Sequence, residues 1–185
     1  GPVREAFRRL EEAGLVRQEK NRGVFVRDVP PDEVAEIYEV RAAMDALVGR
    51  RAAERAGAED LRALRGLVER MEAAARASDP AGYYALNLEF HDRLVTLAGN
   101  RKLAETYRRL IKELALARRR NLSDREVLVH SSAEHRAILK AIAAGDGAAA
   151  ARLMHEHALE SRDRALPAEP ERPAARARPP RRAAE

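Results

Sequence analysis

The 185-residue sequence contains no cysteine, which excludes disulfide frameworks, thiolate metal sites and cysteine nucleophiles. Any metal ion must therefore be held by nitrogen and oxygen ligands. Tryptophan is absent too, and aromatic residues make up only 4%. With Ala, Leu, Glu and Arg dominant, this shortage of strand-forming side chains favours helices. There is no run of roughly 18 apolar residues to span a bilayer. The first residues lack the apolar core of a secretory signal, so the expectation is a soluble cytoplasmic protein with no membrane partner. Lysine is scarce: Lys20, Lys102, Lys112 and Lys140 are the only four of the 35 basic residues that are not arginine.

The chain is 45% hydrophobic and 35% charged, with a net charge of +5 and a pI near 9.9. It is long enough for one ordinary domain, or for a small one joined to a larger one. Arginine carries nearly all the positive charge. Its planar fork suits phosphate and carboxylate oxygens, which points towards nucleic acid or acidic ligands.

From Pro2 to Leu15, Val3, Ala6, Phe7 and Leu10 recur at helical spacing, and Gly14 suits the C-terminal cap. Two short β-prone runs, Val16 to Gln18 and Val24 to Arg27, flank a polar turn ending in Gly23, which predicts a hairpin. Pro30-Pro31 breaks the chain, and Asp32 is expected to cap a helix running to Gly57. Further helical segments are expected near 59–77, 80–98, 101–120, 123–144 and 147–165. The last stretch, 167–185, is rich in Pro, Ala and Arg and loses the helical period, so disorder is expected there. The fold class is thus mainly α: a partial winged helix-turn-helix at 1–29, followed by an antiparallel bundle of six to seven helices at 30–166.

A short helix leading directly into a two-stranded hairpin is the second half of a winged helix-turn-helix, with the helix entering the major groove and the wing beside it. Arg4 and Arg8 lie one turn apart on the polar face, and Arg22 and Gly23 fall at the tip of the wing. A solvated charged helix capping a bundle is the alternative. "PVREAFRRLEEAGLV" followed by "RGVFVRDV" resembles the recognition helix and wing of GntR-superfamily transcription regulators over residues 2 to 29. That resemblance implies that Arg4 reads a base or phosphate, with Arg8 and Arg9 nearer the backbone. It also implies two helices ahead of the recognition helix, so a truncated winged helix is expected here, with operator DNA bound poorly by this chain and well by the intact homodimer.

Asn87 and His91 in "NLEFHDRL" are four residues apart and so share a helix face. His135 and His157 each sit beside an apolar face of a later helix. Taken singly, such a histidine is more often a packing residue than a ligand. Together, three imidazoles and an amide would form an N₃O set suited to Zn²⁺, Ni²⁺ or a similar divalent ion. His130 and His155 are expected at the surface.

"EIYEVRAAMD", "NLEFHDRLVTLAGN", "AEHRAILKAIAAGD" and "ARLMHEHALES" resemble, in that order, the FCD ligand-binding domain of FadR-type GntR regulators over residues 32 to 165. The resemblance implies a divalent metal at Asn87, His91, His135 and His157, with Asn87 where the family commonly has aspartate. It further implies that Arg41 helps bind a small organic acid, the alternative being a surface salt bridge with Glu36 or Asp45. Asn100 is expected to cap the next helix or touch the pocket, and one of Arg118 to Arg120 to face it. The function these readings predict is an effector-responsive transcription regulator, a repressor and not an enzyme. The rivals are a metal-dependent hydrolase or lyase, for which Glu89 and Asp92 are poorly placed to act as base, and a plain helical interaction module.

Overall fold

The computed structural model describes residues 1–12, 14–27, 29–115 and 125–166. Arg118 to Arg120, the expected break at Asn121 to Asp124 and the tail 167–185 lie outside them. Helix α1 (Pro2–Glu12) leads into an antiparallel hairpin of β1 (Val16–Glu19) and β2 (Gly23–Val26). Val16 pairs with Val26 and Glu19 with Gly23. Helix α1 stops short of Gly14, the expected C-terminal cap, which adopts a φ of 72° and whose N–H closes on the Glu11 carbonyl. Asn21, at φ 62°, and Gly23, at φ 114°, make the turn, and Gly23 is the first residue of β2 instead of the last of the turn. Among the described residues α1 buries none, and Val3, Phe7 and Leu10 stay exposed.

The remaining helices among the described residues are α2 (Pro31–Arg55), α3 (Ala58–Arg76), α4 (Pro80–Leu97), α5 (Arg101–Glu113), α6 (Arg125–Ala143) and α7 (Gly147–Ala165). Asp32 does not cap α2. Pro30 is the N-cap, without a side-chain bond, and Asp32 lies in the first turn, where its charge suits the helix dipole. The same helix stops at Arg55, because Gly57 is taken as the N-cap of α3 and Asp60 reaches back to its N–H. Helix α5 ends at Glu113 with Leu114 as C-cap, short of the expected residue 120. Asp79 caps α4 through the Gly82 N–H, and Asp146 caps α7 through the Ala149 N–H. Each such cap contributes about 1 kcal/mol.

Helix α2 packs most extensively against α7, and also against α4 and α6. The approach to α7 is closest at Gly49, where a Cβ would lie 2.5 Å from the Ala150 carbonyl oxygen. The main core gathers Val48, Leu64, Met71, Tyr83, Phe90, Leu94, Ile138 and Met154 with their neighbours. Each such large apolar side chain stabilises the fold by about 1.5–3 kcal/mol when buried. A second cluster of Val34, Ile37, Tyr38 and Leu114 closes the end of the bundle near the hairpin. Arg27 of the hairpin module pairs there with Glu33 in the first turn of α2. Among the described residues no helix is long and apolar enough to cross a membrane.

Candidate metal and ligand site

Helix α4 presents Tyr83, Asn87, Phe90, His91 and Leu94 to the interior, the spacing that keeps side chains on one face. Helix α6 presents Ser131, Ser132, His135 and Ile138, and α7 presents Ala150, Met154 and His157. Asn87, His91, His135 and His157 are all buried, none more than 3% exposed. The three imidazoles converge so that their ligand atoms lie within 4.8 Å of one another. His91 and His135 face each other Nε2 to Nε2 at 3.3 Å, and His157 stacks on His91 with ring centroids 5.2 Å apart.

The outer edges of two rings are held by neighbours. The Tyr83 hydroxyl lies 3.4 Å from His135 Nδ1, and Ser132, whose hydroxyl donates to the Leu128 carbonyl, is 3.5 Å from the same oxygen. Burial raises the Tyr83 phenol above its ordinary range, opposed by Ser131 and Ser132, so it remains protonated. His157 Nδ1 is bonded to Glu134. With Nδ1 engaged outward, each of these rings turns Nε2 inward.

Donor chemistry and spacing both fit a divalent ion. Two nitrogens about 2.0–2.1 Å from a tetrahedral centre stand roughly 3.3 Å apart, the separation of His91 and His135. The Asn87 Oδ1 is buried and has no hydrogen-bond partner among the described residues, an unfavourable state for a polar atom unless something it binds is missing.

Arg41 lies in the same bundle, only 1% exposed, and its Nε is 3.1 Å from the Asp45 carboxylate. The ion pair with Asp45 therefore exists, but in the core and not at the surface. Nε also approaches the Tyr107 hydroxyl at 3.4 Å, and the guanidinium carbon sits 5.5 Å from the centre of the Tyr38 ring. Burial would lower the Arg41 pKa, but Tyr107, Asp45 and Tyr38 more than reverse that, so the charge is permanent. Nη1 and Nη2 have no hydrogen-bond partner among the described residues, which leaves open the fork that binds a carboxylate in two places.

Asn100 accepts a hydrogen bond from the Leu103 N–H, capping α5. Glu89 pairs with Arg93 and Asp92 with Arg108, so both point to other partners. His155 is exposed, as is His130, which also contacts Glu134 and Glu160. In the first module Arg8 pairs with Glu5 and Glu12, Arg9 with Glu5, and Arg22 with Glu19. The sequence reading missed Tyr83, Glu134 and Arg164. Tyr83 had a usable signal, standing four residues before Asn87 on the same face.

These features define a helical bundle with a buried cluster of three histidines, preceded by a helix and wing. The FCD domain family matches residues 36–160. The Nta operon transcriptional regulator of Aminobacter aminovorans is 32% identical over 118 residues, which is 63% of this chain and 55% of that protein. The protein named "Probable D-xylose utilization operon transcriptional repressor" of Paenarthrobacter nicotinovorans is 33% identical over 161 residues, covering 85% of this chain and 67% of its own length. The chain thus spans little more than half the length of some of these relatives. E. coli McbR/YncC has the same fold, with a TM-score of 0.77 at 20% identity over 86% of this chain and 80% of its own. The chain belongs to the FadR-type GntR family of transcription regulators, whose members carry an FCD domain.

Proposed function

We propose that the protein is a cytoplasmic, DNA-binding repressor whose helical domain takes up a small organic acid at a divalent metal, with zinc or nickel the best-suited ions. Asn87, His91, His135 and His157 would hold the ion, and Arg41 would grip the acid. When bound, the ion supplies a fixed positive centre to which a ligand carboxylate can attach. The observation that carries this reading is a set of buried polar atoms without hydrogen-bond partners among the described residues, Asn87 Oδ1 and Arg41 Nη1 and Nη2, in the interior of the bundle. Each such atom costs about 1–3 kcal/mol, so a plain helical interaction module would bear that cost to no purpose.

On the DNA side, Arg4 would meet bases or phosphates in the major groove, with Arg8 and Arg9 beside the backbone and Arg22 and Gly23 at the wing tip. Pairing of two copies fits a palindromic operator. Support for pairing comes from α2, where Val40, Ala43 and Leu47 form an exposed stripe with Glu36 and Glu39 before it and Arg50 after it. In a two-fold antiparallel contact centred on Ala43, the acidic end of one helix faces the basic end of the other. Effector control then requires that the acid bind one arrangement of the paired heads better than another.

Transcript profiling of cells lacking the gene tests the regulatory reading. The expected result is raised expression from a small set of promoters, reversed by the wild-type gene but not by Arg4→Ala. Lowered expression would contradict repression, and an unchanged profile would contradict regulation.

A further inference from the structure

The four candidate ligands, Asn87, His91, His135 and His157, are all neutral donors when they coordinate, so a dication among them would have no anionic ligand. All four side chains are buried, which makes an uncompensated charge costly. Asp45, a fully buried carboxylate, is engaged by Arg41. Glu134 is likewise paired with an arginine, but it also bonds a candidate ligand directly. It precedes His135 on α6 and so projects about 100° away from it, towards α7, where its Oε2 meets His157 Nδ1. Arg164, seven residues and about two turns beyond His157 on the same helix, grips that carboxylate with both terminal nitrogens, Nη1 to Oε1 at 2.9 Å and Nη2 to Oε2 at 3.1 Å. His130 Nε2 approaches Oε1 at 2.9 Å. Glu134 is 13% exposed and Arg164 17%.

We propose that Glu134, clamped by Arg164, is the positioning residue of the histidine site and supplies, through His157, the negative charge that Asn87 does not. By accepting the Nδ1–H of His157 the carboxylate fixes the ring's tautomer and aims Nε2 at the ion. Its charge raises the basicity of that nitrogen. Arg164 fixes the carboxylate's orientation from the exposed side, and the shell reaches the surface at His130 and Glu160.

This inference rests on the metal reading above, and the test separates the two. Zn²⁺ and Ni²⁺ affinities are measured by calorimetry for the full chain and for Glu134→Gln, Glu134→Ala, Asn87→Asp and the double variant Asn87→Asp/Glu134→Gln. Glutamine keeps an acceptor for His157 but removes the charge. The expected loss is about tenfold for Glu134→Gln and towards about 100-fold for Glu134→Ala. Asn87→Asp raises the affinity more in the Glu134→Gln background than in the wild type, a non-additivity that a merely structural role would not produce. Wild-type binding with no loss in Glu134→Gln, or with an equal gain from Asn87→Asp in both backgrounds, overturns the role of Glu134 alone. No binding of either ion by the wild type overturns the metal reading and this inference with it. Should Glu134→Ala fail to fold, the glutamine and double variants still decide.

Discussion

His91 on α4 and His135 on α6 meet Nε2 to Nε2 at 3.3 Å. Two neutral imidazoles at that distance share at most one proton between two lone pairs. The arrangement is equally the edge of a coordination tetrahedron, and a third corner is within reach at His157.

Asn87→Asp should act in opposite directions with and without metal. In metal-free protein it places a buried carboxylate against a pocket with no cation, which costs a few kcal/mol and lowers Tm. With Zn²⁺ present, the added anionic ligand tightens binding by about tenfold or more. Thermal unfolding with and without Zn²⁺ reads both. A loss of Tm that Zn²⁺ does not lessen would mean that residue 87 does not face the ion.

Arg41→Lys keeps a cation beside Asp45 but removes the fork. Loss of the charge altogether would strand Asp45 and cost about 3–5 kcal/mol, so lysine is the informative variant. Titration of metal-loaded protein with small mono-, di- and hydroxycarboxylic acids should find binders for the wild type, weakened about 10-fold to 100-fold in Arg41→Lys. Equal binding by both would remove Arg41 from the acid site.

Gly49→Ala tests the packing of α2 on α7. The new Cβ would lie 2.5 Å from the Ala150 carbonyl oxygen, a backbone atom with little room to move. The clash, about 1–3 kcal/mol, outweighs the gain of about 1 kcal/mol in helix propensity. Each kcal/mol of net loss lowers Tm by about 2–4 °C in a chain of this size. A Tm equal to or above that of the wild type would show that the helices are farther apart.

Leu47→Glu should abolish pairing through the exposed face of α2, where Leu47 is 41% and Val40 52% exposed. Light scattering on an eluting column should find a dimer for the wild type and a monomer for the variant, with unchanged helical content. A dimeric Leu47→Glu would place the interface elsewhere.

Much of this was legible before any coordinates. The period of residues 147–165 marks α7 to the residue, and the four-residue spacing of Asn87 and His91 put both inside the bundle. The helices do break at Ser78-Asp79-Pro80 and Gly145-Asp146-Gly147, and the structure adds that Asp79 and Asp146 are the caps there. Boundaries set by competition between neighbours were harder to read. Asp32 loses the cap to Pro30, and Gly57 begins α3 instead of ending α2. The residues around Arg41 leave a surface salt bridge open beside the acid-binding role that the resemblance implies, because its burial depends on the long-range approach of Tyr107, 66 residues away. Glu134 and Arg164 were not legible because their meeting depends on how α6 lies against α7, 30 residues apart in sequence.

The most direct test of the account is the metal content of the protein, measured by elemental mass spectrometry after purification without added metal or an affinity tag, alongside His91→Ala. The account predicts about one equivalent of a divalent transition metal in the wild type and its loss in the variant. A wild-type protein without metal, or a variant that keeps it, would contradict the central claim that Asn87, His91, His135 and His157 form a metal site.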